Sequence, residues 1–370
     1  MRIGVDARLY YYQPAGIGLY TSRLLAALAA IDRQNDQNDY VVLQSRKDRA
    51  SLAAGPRFHR RALWTPPHHR WEQVALPLEL APLGLDLLHS PDFIPPFRWR
   101  GRSVITVMDL AFLRFPQLLT GESRRYYGQV SSAVTRADAI LAISQSTKND
   151  LVGLLNAPAD KITVTHLAAD PGCRPVTEPA RLEAVRHTYG LPADYLLFVG
   201  TLEPRKDLPT LLRAFASLGP AAQDVCLAVA GRPGWLYEQV YDLAESLELG
   251  ERVRFLGGVP AADLPALYSG ARLFVLPSLY EGFGMPVLEA MACGAPVVCA
   301  NTSSLPEIAG DAALLFPPGD EAALAQAMTA VLLDGDLCRQ LAERGFAQAA
   351  RFSWETTARQ TLAVYDGLAT

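Results

Sequence analysis

Two glutamates, Glu281 and Glu289, are separated by the glycine loop Gly282-Phe283-Gly284 and the run Met285 to Leu288. Ionised carboxylates accept hydrogen bonds from vicinal hydroxyls. A glycine loop that runs into a helix start also presents backbone N–H groups, which favour an anion. One small molecule carrying hydroxyls and a phosphate would use all of these features. The structural alternative is a surface acid followed by a helix-start acid stabilised by the macrodipole. The apolar run Leu273 to Leu276 reads as a buried strand bounded by Pro277. Pro286 suits the first turn of a helix and Gly294 the position just past its end. This order predicts Glu281 at the carboxyl end of a strand and Glu289 one turn into the next helix. Ligands of open α/β sheets bind at that edge.

A second set of chemistry-bearing residues is Arg205-Lys206, between the apolar run ending at Gly200 and a helix predicted over Leu208–Leu218. Lysine is scarce here, occurring only at 47, 148, 161 and 206. Cations at a strand-to-helix turn suit a diphosphate, and an ordinary surface pair is the alternative. Gly16-Ile17-Gly18 opens another helix, Leu19 to Ile31, but Thr21 stands where a dinucleotide fingerprint needs its third glycine. His89-Ser90-Pro91, Met108-Asp109-Leu110 and Ser144-Gln145-Ser146 fall at further strand ends. Asp334-Gly335-Asp336 has Asp-x-Asp spacing, yet it lies between helical runs and reads as a turn. His68-His69 lacks partners at ligand spacing. No metal and no cofactor is expected.

Positioning these residues requires alternating strands and helices. Strand-like runs occur at Arg2–Asp6, Tyr40–Leu43, Leu87–His89, Val104–Met108, Ala139–Ile143 and Ile162–His166. A second series lies near 195–199, 225–230, 253–256, 273–276, 296–300 and 313–316. Such alternation predicts parallel sheets with crossover helices. Two similar halves predict two Rossmann-like domains facing across a cleft. The Pro- and Gly-containing stretch Pro171 to Pro192 marks the boundary. The expected division is 1–172, 173–352 and a terminal helical segment, 353–370.

At 370 residues, half of them hydrophobic and 19% charged, the chain has material for two cores. No apolar run approaches the roughly 18 residues of a membrane span, and Met1 leads directly into a strand, so a cytoplasmic protein without a signal peptide is expected. The five scattered cysteines read as free thiols of a reducing compartment. Net charge is −4, but residues 1–172 carry 20 Lys and Arg against 15 acids, and residues 173–370 carry 14 against 23. Two basic, aromatic stretches (Arg57, Arg60, Arg61, His68, His69, Arg70, Trp71; and Phe97, Arg98, Trp99, Arg100, Arg102) make a peripheral membrane contact one expectation and a solvated surface the other.

The stretch Pro277-Ser278-Leu279-Tyr280-Glu281-Gly282-Phe283-Gly284 with Glu289 resembles the Glu-x7-Glu signature of retaining GT-B glycosyltransferases. "HSPDFIPP", "TVMDLAFLRFP", "RADAILAISQSTKNDL" and "KITVTHLAAD" are similar to the acceptor domain of glycosyltransferase family 4, specifically its bacterial O-polysaccharide mannosyltransferase group. The resemblance implies a GT-B fold whose C-terminal helix crosses back to the first domain. It implies a metal-independent retaining hexosyltransferase, with mannose from GDP-mannose as the best donor. The acceptor implied is a glycan or a polyprenyl-diphosphate-linked molecule of cell-surface polysaccharide synthesis, with no nucleic-acid partner. By carry-over, Lys206 with Arg205 meets the diphosphate, Glu281 the donor sugar and Glu289 the ribose. Gly282, Phe283, Gly284, Met285 and Leu288 surround them, Gly257 and Val259 mark the base, Gly200, Gly16 and Gly18 line the site, and Asp109 completes the catalytic set. Met108 departs from the family, which commonly has His there; a thioether exchanges no proton. Another GT-B enzyme (an epimerase or a phosphorylase) and a non-catalytic sugar-nucleotide binder are the alternatives.

Overall fold

The structure, a computed structural model, describes residues 1–13, 15–31, 38–53, 55–118 and 121–369. It divides into two compact units: Met1–Leu167 with Ser353–Thr370, and Ala168–Phe352.

The first unit is built on a parallel sheet of β1 (Arg2–Asp6), β2 (Asp39–Ser45), β3 (Phe58–Leu63), β4 (Leu87–Ser90), β5 (Arg102–Val107), β6 (Ala139–Ala142) and β7 (Ile162–Val164). The spatial order is β3-β2-β1-β4-β5-β6-β7, so the order reverses between β1 and β4. Central strands such as β4 and β6 are buried throughout, as parallel strands covered on both faces must be. The sequence reading missed β3. Arg60 and Arg61 read as part of a basic, aromatic stretch, but Phe58–Leu63 pairs in register with β2. Charged side chains suit it because it is an edge strand, where Arg discourages further pairing.

The second unit holds β8 (Tyr195–Val199), β9 (Cys226–Ala230), β10 (Val253–Gly257), β11 (Leu273–Leu276), β12 (Val297–Ala300) and β13 (Leu314–Phe316), ordered β10-β9-β8-β11-β12-β13. All pairings are parallel, and the reversal lies between β8 and β11. Gly231, just past β9, is required by close approach: a Cβ there would stand 1.8 Å from the Gly200 carbonyl oxygen. Three of the long helices begin where side chains cap them: Asp320 accepts from the Ala323 N–H, Asp334 from the Asp336 and Leu337 N–H groups, and Ser353 from the Thr356 N–H. Asp334-Gly335-Asp336 is thus a helix-capping turn.

The helix Trp354–Gly367 belongs to the first unit. Its Tyr365 is fully buried, and the hydroxyl lies 2.6 Å from His89 Nδ1 at the end of β4. His89 Nε2 lies 2.7 Å from the Thr106 hydroxyl on β5, which is 3.1 Å from the Tyr20 hydroxyl on the helix Ile17–Ile31. Four elements are joined by one buried polar chain. Burial pushes the His89 ring down to about 3, so it stays neutral and is structural. Tyr365→Phe leaves one ring nitrogen unpaired in the core and should cost about 2 kcal/mol of stability. Urea unfolding of the two proteins measures it; equal midpoints and slopes would show that the bond contributes nothing.

Candidate functional site

The second unit brings its chemistry together at the reversal point of its sheet. The loop after β8 makes a single tight turn, Pro204–Lys206. The loop after β11 runs from Pro277 to Gly284. They are stitched backbone to backbone, the Leu279 N–H donating to the Arg205 carbonyl at 2.8 Å. They are stitched again through side chains. Lys206 Nζ lies 2.5 Å from Glu281 Oε1, and Arg205 Nη1 lies 3.1 Å from Glu281 Oε2. Arg205 Nε reaches Glu203 at 2.6 Å, and its Nη1 donates to the Tyr280 carbonyl at 3.0 Å. Glu281, Lys206 and Glu203 are buried. The cluster contains two cations and two acids.

Glu281 is held further by three serines. Ser278 donates to Oε1 at 2.7 Å, the Glu281 N–H donates to the Ser303 hydroxyl at 2.8 Å, and Ser304 donates to the Glu281 carbonyl at 2.9 Å. Burial alone would raise this carboxyl, but Lys206 and then Arg205 outweigh it and bring it down to about 2. Glu281 is therefore an anion throughout the working pH range. Removing one partner of such a buried pair typically costs about 3–5 kcal/mol.

Gly284 then turns the chain into the helix Met285–Ala292 with φ 95°, and a Cβ there would meet Leu305 at 2.7 Å. No side chain caps this helix, so its positive end is left to whatever lies in front of it. Glu289 sits on its second turn, buried among apolar neighbours, with the Tyr268 hydroxyl donating at 3.1 Å. Burial raises its carboxyl to about 7; the Tyr268 bond opposes this and Asp170 adds to it. The two glutamates of one strand-loop-helix unit thus differ in charge near neutrality.

Of the residues singled out by the sequence, the structure brings Arg205, Lys206 and Glu281 into direct contact. Gly200 lies under the lysine, a Cβ there falling 3.6 Å from Lys206 Cε. Gly282, Phe283, Gly284 and Met285 occupy the connecting loop and helix start, and Leu288 is fully buried beside Glu289. Gly257 ends β10, at the far edge of the sheet, and Val259 follows it. Gly16, Gly18 and Asp109 belong to the first unit. There the Asp109 carboxylate accepts the Ala111 N–H at 2.9 Å, ahead of the short helix Ala111–Arg114. A Cβ at Gly18 would lie 2.1 Å from the Gln13 carbonyl oxygen, which explains that glycine structurally. Sequence reasoning missed Glu203, Tyr268, Ser278 and Ser303. Ser278, three residues before Glu281, was the only one whose spacing hinted at its partner. Among the described residues no group of three or more His, Cys, Asp or Glu is placed to hold a metal ion.

Comparison with known proteins agrees with this architecture. Residues 14–172 match the family described as Glycosyltransferase Family 4, and residues 188–348 match Glycosyl transferases group 1. The chain is 39% identical over 283 residues to O-antigen chain mannosyltransferase B of Escherichia coli, covering 75% of this chain and 74% of that protein. It is 35% identical over 240 residues to the serotype-specific mannosyltransferase WbdA of Escherichia coli, covering 64% of this chain and 29% of that longer protein. Among solved structures, Anabaena Alr3699/HepE in complex with UDP and glucose superposes with a TM-score of 0.76 at 21% identity, over 99% of this chain and 100% of that one.

The raised carboxyl of Glu289 has a consequence for stability. Its folded value lies above the usual 4.5, so its contribution is complete below that value and is lost as the pH rises through about 7. Glu289→Gln removes this titration. Between pH 5 and pH 8 the wild-type protein should lose about 2–3 kcal/mol relative to the variant. Urea unfolding of both at each pH reads the difference; a constant gap would mean that Glu289 titrates normally.

Proposed function

The chain belongs to glycosyltransferase family 4, and from that premise we propose that it is a retaining mannosyltransferase using a nucleoside-diphosphate sugar. GDP-mannose is the proposed donor, and the acceptor is a glycan or polyprenyl-diphosphate-linked molecule of cell-surface polysaccharide synthesis. The observation that carries this reading is the pairing of Arg205 and Lys206 with Glu281 at the β8/β11 reversal, in front of the uncapped helix Met285–Ala292. A diphosphate placed there meets two cations and a helix start at once. The Glu281 carboxylate, always ionised, suits the donor's sugar hydroxyls, and Glu289 suits the ribose. Support for the transferase comes from the mannosyltransferase relatives, and support for a nucleotide-sugar donor from the UDP complex of the structural neighbour.

In this reading the leaving diphosphate is stabilised by Arg205, Lys206 and the helix start, without a metal. The acceptor hydroxyl attacks the anomeric carbon from the face the diphosphate departs, and its proton passes to that leaving group. Neither Met108, a thioether, nor His89, fully buried with both ring nitrogens bonded to Tyr365 and Thr106, offers a protein base in its place. Lys206→Ala should weaken GDP binding at least tens-fold, a charged hydrogen bond being worth roughly 1.5–3 kcal/mol. Calorimetry with GDP and UDP, each with and without EDTA, tests the set. An unchanged Lys206→Ala constant refutes the diphosphate assignment, tighter UDP binding refutes the donor, and loss of binding in EDTA refutes metal independence.

We also propose peripheral contact with the inner face of the cell membrane through the first unit. Trp64, Trp71, Val74 and Leu78 are exposed, Trp64 by 71% and Leu78 by 72%, and Arg46 and Arg70 lie over the two indoles. Positions 71, 74 and 78 share one face at the start of the helix Glu72–Leu80. This stripe is a better interfacial surface than the second basic stretch, where Arg102 pairs with Asp138 and the Trp99 indole donates to the Arg102 carbonyl. No described helix is long and apolar enough to cross a membrane. Trp64→Ser with Leu78→Ser should weaken partitioning onto anionic liposomes about a hundredfold or more, since each buried large side chain contributes roughly 1.5–3 kcal/mol. Undiminished pelleting would sink the assignment.

A further inference from the structure

The two glutamates of the strand-loop-helix unit are held in different ways. Both oxygens of Glu281 are taken up within the protein, Oε1 by Lys206 and Ser278 and Oε2 by Arg205. Glu289 is 8% exposed, yet its carboxyl meets one partner among the described residues, the Tyr268 hydroxyl, 3.1 Å from Oε2. Oε1 meets none of them. An ionised carboxyl offers about four lone-pair positions. Tyr268 fills one, which leaves a second on Oε2 and both on Oε1.

Tyr268 is itself firmly built in. It lies on the helix Leu264–Gly270, fully buried, with its ring edge-on to Phe274 of β11 at a centroid distance of 5.5 Å. Burial, and then the Glu289 charge, push its hydroxyl well above the usual range, so it keeps its proton and acts as a donor at every working pH. Besides burial, Asp170 is the group that pushes the Glu289 carboxyl up, and Tyr268 is the group that pulls it down. Cys173, whose thiol faces that of Cys293, is the other titratable group within reach of the Glu289 charge.

A glutamate side chain has several staggered conformations open to it, and ordering it costs conformational entropy. Lys206, Arg205 and Ser278 together select one for Glu281. At Glu289 the selection falls to a single hydroxyl, delivered from a different helix.

We propose that Tyr268 is a positioning residue of the donor site: its hydroxyl fixes the Glu289 carboxyl so that Oε1, with the remaining lone pair of Oε2, receives the two adjacent hydroxyls of the donor's ribose. The proposal rests on the nucleotide-sugar reading, which supplies the ribose. It goes beyond that reading by naming the residue that sets how strongly the vicinal diol is recognised.

Tyr268→Phe removes the hydroxyl and keeps the ring against Phe274. Calorimetry of the full chain compares GDP with 2′-deoxy-GDP. The wild-type protein should bind GDP at least about tenfold tighter, as expected for a hydrogen bond to a charged group. In Tyr268→Phe that preference should fall to about threefold or less, the loss falling mainly on GDP. In a Glu289→Ala background, Tyr268→Phe should change the GDP constant less than about twofold, because the residue it acts through is gone. The preference also has a pH profile, and the phosphates common to both nucleotides cancel in the ratio. Because the diol donates to an ionised carboxyl, the wild-type preference should rise as the pH passes through about 7. Without the Tyr268 bond that rise should move to higher pH. An equal loss for both nucleotides, a preference unchanged in Tyr268→Phe, an unmoved pH profile, or a Tyr268→Phe effect that persists beside Glu289→Ala overturns the proposal and leaves the donor reading standing. A wild-type protein that binds GDP and its 2′-deoxy form alike separates the ribose from Glu289, and one that binds neither removes the donor reading. In both of those cases the role of Tyr268 falls with its premise.

Discussion

The second unit depends on one buried electrostatic arrangement, the contact of Lys206 and Arg205 with Glu281. Two loops from strands distant in sequence must carry opposite charges to the same point, because a lone buried charge there would cost several kcal/mol. The tight turn Pro204–Lys206, the serines around Glu281 and the close approach of Gly231 to Gly200 all serve that convergence. The cluster is neutral as a whole, two cations against two acids. An incoming diphosphate would therefore add charge rather than cancel a surplus. The start of the helix Met285–Ala292, which no side chain caps, sets a positive helix end beside this cluster.

The contrast between Glu281 and Glu289 illustrates how environment, rather than residue type, assigns roles. They share one strand-loop-helix unit, yet one carboxyl is pulled down to about 2 by adjacent cations and the other is pushed up to about 7 by apolar burial. Near neutrality one is a fixed anion and the other is close to half-protonated. A permanent charge suits a place beside cations. A carboxyl able to change charge state suits hydroxyl groups that both donate and accept.

Much of this was legible beforehand. Continuous apolar runs mark buried parallel strands, and among the described residues twelve of the thirteen strands fall where such runs occur. β3 escaped because an edge strand does not need to be apolar: Arg60 and Arg61 obscured a run whose only signals were Phe58 and Leu63. In the site, position alone puts Glu281 at a strand end and Arg205 and Lys206 at a strand-to-helix turn, where a surface pair reads equally well; the family resemblance is what singles them out. Tyr268 and Ser303 were not legible, since each reaches its glutamate across about twenty residues of chain and nothing in local spacing encodes that approach. The second basic stretch suggested a free surface from composition alone, whereas Trp99 and Arg102 already have partners within the fold. Composition reports what a side chain is able to do, not whether it is already engaged.

The polar chain from Tyr20 through Thr106 and His89 to Tyr365 joins residues from both ends of the sequence. The second unit, by contrast, is continuous from Ala168 to Phe352. During synthesis residues 1–167 are made before residues 168–352, but the first unit lacks the helix that closes its core until Trp354–Gly367 has been made. The second unit is complete before then. The usual order, in which the N-terminal domain folds first, is therefore inverted for the final step: the first unit waits, with the pocket for its closing helix uncovered, while its neighbour is made. A chain stalled anywhere between residues 168 and 352 has His89 in place but not the Tyr365 hydroxyl that its Nδ1 needs.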